Sequence, residues 1–382
     1  MQNSTSLQPQ HPRHGGNLAW AATLAGCSPQ EILDFSASIN PLGPPASAIA
    51  AIQANWDSLI HYPDPNYQVL RQTLGSHHDC PPDWILPGNG SAELLTWACR
   101  ELAELPTTVL MTPAFGDYRR ALKAFDADMT ECNVMEHLFD PSWTEQIPLP
   151  QSAQPAGLLL NNPHNPTGKL FSVEAILPLL DQFSLVVVDE AFMDFLPPVQ
   201  QQSLIDRIPH HPNLVVLRSL TKFYSLPGLR FGYAIAHPQR LQRWQQWRDP
   251  WSVNSLAAAA AIAVLQDIPF LQQTFDWLEA ARSQLHSGLA ALPGLFPLSG
   301  AANYLLVKSQ HSVVQLQQQL LQQHRILIRD CLSFAELGDR YFRVAVRTLH
   351  ENQRLLSGLS EILPGISPGI TTEILPETPQ GK

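Results

Sequence analysis

The chain has 382 residues, of which 45% are apolar and 15% are charged. Lys and Arg total 23 against 33 Asp and Glu, and this net charge of −10 argues against nucleic acid or an anionic membrane as a partner. The length and apolar content predict one large two-lobed enzyme or two to three ordinary domains, and they exclude a disordered chain or a small disulfide-stapled module.

Cysteine spacing and the start of the chain bear on the compartment. The five cysteines form no C-x-x-C pair and their number is odd, so we expect reduced thiols and neither a disulfide frame nor a metal site. Residues 1–13 lack the basic segment and apolar run of a secretory signal. The longest apolar run, Leu256–Leu265, is about half as long as a membrane span. These features predict a soluble, cytoplasmic protein.

Short apolar runs that stop at a turn-forming or polar residue alternate with longer segments of helical period. Such continuous runs are typical of strands buried on both faces, so they predict an α/β fold with a mostly parallel sheet wrapped by helices. The predicted strands of this large domain are Val109–Thr112, Gly157–Leu160, Leu185–Val188, Val215–Leu217 and Phe231–Ala236.

Two helices and a second lobe complete the predicted architecture. Glu93–Leu102 has an apolar stripe and Ser91 as a candidate N-cap, and Ser312–His324 has a second stripe. A long helix from about 265, together with strands at Asn303–Val307, Arg325–Ile328 and Tyr341–Val346, predicts a smaller α/β domain. The predicted division is a large domain at 47–264, a small domain at 265–370 joined by residues 14–46, and disordered tails at 1–13 and 371–382.

Polar segments follow several predicted strands, where open α/β sheets bind ligands. Gly88–Ala92 leads into a helix whose N–H groups could hold a phosphate, although an ordinary turn and cap would look the same. Asn162–Gly168 contains two Asn-Pro elements in seven residues, and these predict an extended loop that presents an Asn amide above the sheet. A structural turn explains the Pro and Gly residues of this loop but not both Asn residues.

Two further segments carry charge. Asp189 ends a buried strand and needs a cationic partner, which could equally be a structural ion pair. In Arg218–Gly232, Lys222 lies eight residues before Arg230, and the segment has a charge of +3 with no acid. Burial lowers the pKa of a lysine, and the neutral amine can then form a Schiff base with an aldehyde.

In this order and spacing, the four segments resemble the pyridoxal-phosphate (PLP) enzymes of the aspartate-aminotransferase fold type, across residues 14–350. The resemblance implies that Lys222 holds the cofactor aldehyde and that Asp189 pairs with the pyridine nitrogen, which makes them the catalytic pair. It implies that Asn165 donates to the phenolic oxygen and that Phe115 stacks on the ring. The implied phosphate ligands are Gly90, Ser91, Ala92, Ser219, Thr221 and Arg230, with Tyr62 reaching the cofactor of a partner subunit in a homodimer.

Within this family, further segments are most similar to decarboxylases of L-threonine O-3-phosphate, which form (R)-1-aminopropan-2-yl phosphate for the cobalamin nucleotide loop. These segments are His14–Asn17, Phe35–Gly43, Pro250–Asn254, Ala302–Leu306 and Ile326–Cys331. Phe192 stands where aminotransferase relatives commonly have a Tyr that binds the phenolic oxygen, which favours the decarboxylase. A histidinol-phosphate-type aminotransferase using 2-oxoglutarate is the alternative, and a non-catalytic PLP-binding regulator is a third hypothesis.

The resemblance also implies a set of substrate ligands for a small phosphorylated amino acid. Arg343 and Asn165 are expected to bind the carboxylate, and Asn40 is expected to contact the substrate. His14, Arg329 and Arg347 are nominated for the substrate phosphate, although surface solvation explains Arg347 equally well.

Overall fold

A seven-stranded sheet forms the centre of the larger lobe in the computed structural model, which describes Pro12 and residues 14–135 and 155–366. The predicted tails therefore lie outside the described residues, apart from Pro12. The strands in chain order are β1 (Leu33–Asp34), β2 (Ile85–Asn89), β3 (Thr107–Thr112), β4 (Met129–Asn133), β5 (Ala156–Asn161), β6 (Leu185–Asp189), β7 (Leu214–Ser219), β8 (Phe231–Ala236), β9 (Leu295–Pro297), β10 (Tyr304–Ser309), β11 (Ile326–Leu327), β12 (Arg329–Asp330) and β13 (Tyr341–Ala345).

The large sheet has the order β2-β8-β7-β6-β5-β3-β4. Strands β7, β6, β5, β3 and β4 pair in parallel, whereas β8 is antiparallel to both of its neighbours. The mostly parallel sheet is therefore confirmed, and all five predicted strands of the large domain are present. Because parallel strands end at one edge, their carboxyl ends bring Asn161, Asp189 and Ser219 to the same side of the lobe.

Helices cover the sheet on both faces and extend into the smaller lobe. They are α1 (Leu18–Ala25), α2 (Ala46–Ala54), α3 (Gln68–His78), α4 (Ser91–Leu102), α5 (Gly116–Lys123), α6 (Val173–Gln182), α7 (Leu220–Phe223), α8 (Pro238–Trp247), α9 (Ser255–Val264), α10 (Ile268–Ala290), α11 (Val313–Gln319) and α12 (Leu349–Ile362). Among the described residues no single helix is long and apolar enough to cross a membrane, although α9 and α10 pass that test as a pair bent by 73°.

The predicted cap of α4 is wrong by one residue. Gly90 occupies the N-cap position and Ser91 is the first residue of the helix. Gly90 has a φ of 75°, and a Cβ there would lie 2.6 Å from Nη2 of Arg230. The positive φ favours glycine at this position, and the absence of a side chain lets the Arg230 guanidinium lie against the backbone without shifting.

The two faces of the sheet bury separate apolar clusters. In β6, Val186 and Val188 pack in one cluster, whereas Leu185 and Val187 pack in the other. Side chains alternate across a strand, so a run that is apolar throughout is buried on both faces. Burying each such side chain contributes about 1.5–3 kcal/mol, which fixes β6 at the centre of the lobe and holds Asp189 at its end.

The smaller lobe contains a four-stranded sheet of order β12-β13-β10-β9. Its predicted strand at Arg325–Ile328 is instead two short strands, β11 and β12, and the predicted helix at Ser312–His324 is α11 followed by a π-helical turn at Leu320–His324. Strand β1 pairs in parallel with β11, so the N-terminal segment contacts this lobe. The exact domain boundaries remain a prediction.

Candidate active site

A cavity of about 240 Å³ lies between the carboxyl edge of the large sheet and strands β12 and β13 of the smaller lobe. Twelve of the residues predicted from the sequence line it: His14, Ser91, Ala92, Phe115, Asn165, Asp189, Ser219, Thr221, Lys222, Arg230, Arg329 and Arg343. Residues that lie far apart in the chain therefore meet in one enclosure, as the motif positions predict.

Lys222 projects from α7, a single turn that follows β7 directly. Burial, with the nearby positive charges of Arg343 and Arg230, lowers the pKa of Lys222 to about 8, although Asp189 acts in the opposite direction. Roughly one tenth of this amine is therefore neutral at pH 7, and the neutral form is the one that adds to an aldehyde.

Asp189 has both carboxylate oxygens engaged by the chain. Tyr118 donates its hydroxyl to Oδ2 at 2.8 Å, and the backbone N–H of Ala191 donates to Oδ1 at 3.0 Å. Burial raises the pKa of Asp189, while these hydrogen bonds and the charge of Lys222 oppose the rise. The carboxylate is thus fixed in orientation and keeps lone pairs for a cationic ligand in the cavity.

The residues around Gly90 form a cradle that fits a phosphate. The N-terminus of α4 begins at Ser91 beside the guanidinium of Arg230, and Ser219 and Thr221 hold their hydroxyls 2.8 Å apart. Unpaired N–H groups at a helix start, a guanidinium and two hydroxyls are the donor set that phosphate requires. The Gly90–Ala92 segment therefore offers donors that a phosphate would need, in addition to starting the helix.

Two arginines from adjacent strands face the same cavity on the smaller lobe. Arg329 of β12 and Arg343 of β13 are opposite each other in the antiparallel register. Arg343 donates to Oδ1 of Asn165 and lies 4.7 Å from the centre of the Tyr304 ring. Burial lowers the pKa of Arg343, and the charge of Arg329 lowers it further. A pair of guanidiniums side by side favours an anionic ligand between them.

Four predicted residues are not part of the cavity wall: Gly90, which is the N-cap of α4 beside Arg230, and Asn40, Arg347 and Tyr62. The amide of Asn40 is 2% exposed and satisfied by Phe223 O at 2.8 Å, the Thr274 hydroxyl at 2.9 Å and the Leu42 N–H at 3.0 Å. We correct its substrate role: Asn40 anchors the segment that carries Lys222.

Arg347 is likewise displaced from the cavity. It donates to the carbonyl of Asp34 at 3.1 Å and to Oε1 of Glu351 at 2.9 Å, so its charge is compensated inside the chain and it is not part of the cavity wall. Tyr62 is 79% exposed and lies outside the cavity of its own chain, with its ring centroid 4.5 Å from that of Trp251. Its contact with a partner subunit remains a prediction.

Sequence reasoning missed several residues of the cavity wall, notably Tyr118 and Asn161. Tyr118 lies three residues after Phe115, a spacing that places both side chains on one helical face. Asn161 ends β5 directly opposite Asp189 in the parallel register. Helical spacing and strand ends were signals that could have found both residues. Ser36, Ser38 and Ser333 also line the cavity. Ser36 and Ser38 lie in the Phe35–Gly43 segment, but no pattern there assigns them to the site, and Ser333 lies outside the segments that carry the resemblance.

These features define a class of protein: a PLP enzyme of fold type I, with a lysine, an aspartate and a phosphate cradle at the carboxyl edge of a mostly parallel sheet. The chain belongs to the family of class I and II aminotransferases, whose model matches residues 30–359.

Individual members of this family and solved structures show which proteins the chain is most similar to among those compared. The chain is 39% identical over 362 residues to a threonine-phosphate decarboxylase of Salmonella typhimurium, covering 93% of this chain and 98% of that protein. It is 30% identical to the adenosylcobalamin biosynthesis bifunctional protein CobDQ of Leptospira interrogans, over 93% of this chain and 41% of that longer protein. The histidinol-phosphate aminotransferase of Sinorhizobium meliloti, solved with pyridoxal-5'-phosphate, has a TM-score of 0.80 at 22% identity, over 96% of this chain and 98% of that one.

Proposed function

We propose that the chain is a PLP-dependent carboxy-lyase that converts L-threonine O-3-phosphate to (R)-1-aminopropan-2-yl phosphate and CO2 for cobalamin biosynthesis. The observation that carries the proposal is the pair Arg329 and Arg343, which come from adjacent strands of the smaller lobe and line the same cavity as the cradle at the start of α4. A substrate with both a carboxylate and a phosphate matches such a pair. The 39% identity to a threonine-phosphate decarboxylase supports the same substrate.

The residues present fit the cofactor. Ser91, Ala92, Ser219, Thr221 and Arg230 would hold its phosphate through helix N–H groups, hydroxyls and a guanidinium. Lys222 would bind its aldehyde, Asp189 its pyridine nitrogen, and Phe115 would cover its ring. When bound, PLP supplies an aldehyde for the substrate amine and a conjugated ring that accepts the electron pair of the bond that breaks.

Orientation of the substrate decides which bond breaks. Arg343, aligned by its hydrogen bond to Asn165, would bind the substrate carboxylate and fix its orientation for loss of CO2. Arg329 and His14 would bind the substrate phosphate. Arg329 is buried and donates to Ser333 Oγ at 2.7 Å and to the Pro12 carbonyl at 3.3 Å, so its guanidinium is oriented before substrate binds.

One feature of the cavity favours decarboxylation over amino transfer. Phe192 lines the cavity, where its ring packs edge-on against Tyr304 at 5.0 Å and offers no hydroxyl to the phenolic oxygen. Loss of CO2 leaves an electron pair that is quenched by one proton returned to the carbon, and it needs no keto-acid acceptor. Lys222 Nζ is our candidate donor, since a pKa of about 8 lets it carry that proton near neutral pH.

We also propose that the enzyme is a cytoplasmic homodimer. An apolar groove of about 510 Å³ runs between α2, the start of α3 and α9, lined by Ala51, Val69 and Ile262 among others. Ile60 and Tyr62 beside it are 80% and 79% exposed. Large exposed apolar side chains around a groove favour a protein partner, and a second copy of the chain fits because Tyr62 would then reach the partner's cofactor phosphate.

The decisive experiment compares two substrates on the purified protein loaded with PLP. We expect CO2 release from threonine phosphate without any keto acid, and no transfer from histidinol phosphate to 2-oxoglutarate. Lys222→Ala should remove the visible absorption of the bound cofactor and lower turnover by at least about 10⁴-fold, the upper range for one acid–base group.

The outcomes separate the hypotheses. Amino transfer from histidinol phosphate without CO2 release would establish the aminotransferase in place of the decarboxylase. A protein that binds PLP yet transforms neither substrate would support a regulator. Failure to bind PLP at all would overturn the proposal as a whole.

A further inference from the structure

A hydrogen bond between Tyr118 and Asp189 joins two elements that are distant in the chain. The phenol of Tyr118, on α5, donates to Oδ2 of Asp189 at 2.8 Å, at the end of β6. Tyr118 is 2% exposed and its ring packs in the apolar cluster on one face of the sheet. The residue therefore combines a buried ring, fixed by packing, with a hydroxyl aimed at a carboxylate in the cavity wall.

The position of the phenol is set on several sides. Phe115, one helical turn earlier, packs edge-on against it with centroids 5.6 Å apart. The N–H of Ala191 holds the other oxygen of Asp189, so the carboxylate is restrained at both atoms. A restrained carboxylate loses less entropy when it meets a cationic ligand and keeps its angle to that ligand.

The charged and titratable groups around the pair come from several elements. Lys222 of α7 acts on Asp189, while Tyr304 of β10 and Cys99 of α4 act on Tyr118. Burial raises the pKa of Tyr118 well above its usual range, and the charge of Asp189 raises it further, so the phenol stays a donor. Among these groups only Tyr118 donates a side-chain hydrogen bond to Asp189.

We propose that Tyr118 is a positioning residue that holds Asp189 oriented and ionised, and thereby sets how strongly the chain binds and protonates the pyridine nitrogen of the cofactor. The inference rests on the proposed role of Asp189 toward PLP. Without the phenol, the carboxylate becomes more basic and freer to rotate. It is then protonated at higher pH and competes more strongly for the proton on the ring nitrogen.

The test is Tyr118→Phe, which removes the hydroxyl and keeps the ring in the core. We expect the dissociation constant for PLP, measured by titration of the apoprotein, to rise about tenfold. The acidic limb of the pH profile of cofactor absorbance should move to higher pH. With threonine phosphate, kcat should fall while KM stays unchanged, since the substrate ligands are untouched.

Tyr233→Phe is the matched control, because Tyr233 is a fully buried phenol that bonds His78 Nε2 at 2.7 Å and does not belong to the cavity wall. Its cofactor affinity and pH profile should match those of the wild type. Equal shifts in both variants would mean that any lost buried hydroxyl has this effect, which overturns the proposal.

A second comparison covers the case in which Tyr118→Phe folds poorly. It measures the Asp189→Asn variant with and without Tyr118→Phe. If Tyr118 acts through the carboxylate, adding Tyr118→Phe to Asp189→Asn should not weaken PLP binding or move the pH profile further. A full additional loss would overturn the inference. If the wild type binds PLP and releases CO2 but Tyr118→Phe matches it, the inference fails alone; if the wild type itself fails to bind PLP, the proposed function fails.

Discussion

Arg218 and Arg343 are two arginines close to one cavity. Carboxylates of the chain neutralise the charge of Arg218, whereas the charge of Arg343 has no such partner among the described residues. Arg218 is 2% exposed, with Nη1 at 2.8 Å from Asp194 and Nε at 3.4 Å from Glu190. Arg343 bonds the neutral amide of Asn165 and faces the ring of Tyr304, and no carboxylate of the described residues lies within ion-pair distance of it.

The difference appears in the pKa of each guanidinium. Burial lowers the pKa of Arg218, but the charges of Asp194 and Glu190 outweigh it, so the pKa is raised overall. Burial lowers the pKa of Arg343, and no carboxylate compensates for it. A cation neutralised inside the fold is part of the scaffold, whereas a cation left without a partner at a cavity is available to a ligand.

The largest expected effect concerns the compensated arginine. Arg218→Gln should lower the free energy of unfolding by about 3–5 kcal/mol, because Glu190 is then left buried with its charge unpaired. Burial already raises the pKa of Glu190. The loss should shrink as the pH falls, since protonation removes the unpaired charge. Chemical denaturation at several pH values measures both quantities.

Arg347→Gln is the control for this first prediction, since Arg347 forms an i,i+4 pair with Glu351 that is about one-fifth exposed on both sides. Its cost should be about 1–2 kcal/mol, because the pair with Glu351 and the hydrogen bond to the Asp34 carbonyl are both lost but no carboxylate is left fully buried. If the Arg218→Gln protein is as stable as this control, the buried ion pairs of Arg218 contribute nothing to the free energy of unfolding. The proposed difference between Arg218 and Arg343 would then be wrong.

The second prediction concerns the uncompensated arginine. Arg343→Gln should raise KM for threonine phosphate about 100-fold, because a charge-assisted contact to the carboxylate is lost. The free energy of unfolding should change by less than about 1 kcal/mol, as no internal ion pair is broken. Steady-state kinetics measures the change in KM, and chemical denaturation of the same preparation measures the change in the free energy of unfolding. A large loss of stability with an unchanged KM would assign Arg343 to the scaffold.

The contrast between the two arginines also explains what sequence patterns could predict. Lys222, Asp189 and the Gly90–Ala92 loop were predictable because local order fixes them, each at the end of a strand or the start of a helix. Arg218 lies in the same segment as Lys222 and contributes to its charge of +3, so the sequence alone does not distinguish it from the cations that line the cavity. The structure makes the distinction, since Asp194 lies 24 residues earlier and its contact depends on how the loop after β6 folds back.

Contacts between residues far apart in the chain could not be predicted either, because they also depend on how distant elements pack together. Tyr118 and Asp189 are 71 residues apart, and Asn40 and Thr274 are 234 apart. Strand order and helix packing bring such pairs together, and neither leaves a periodic signal in the sequence. The substrate role expected for Asn40 failed in this way, because a motif position does not tell whether an amide faces a cavity or the protein interior.

The smallest expected effect follows from the influence of Arg343 on its neighbour. Its charge is one of the causes that lower the pKa of Lys222 to about 8. In Arg343→Gln this repulsion is absent, so the pKa of Lys222 should rise, by less than about one pH unit. The neutral fraction of the amine at pH 7 then falls, and the apoprotein should combine with the cofactor aldehyde more slowly.

The pH dependence of that rate, followed by absorbance, should show a midpoint near 8 in the wild type and a higher one in the variant. Arg347→Gln, whose charge is already paired with Glu351, should keep the wild-type midpoint. An unchanged midpoint in Arg343→Gln would mean that burial alone sets the basicity of Lys222 and that the uncompensated cation acts only on the substrate.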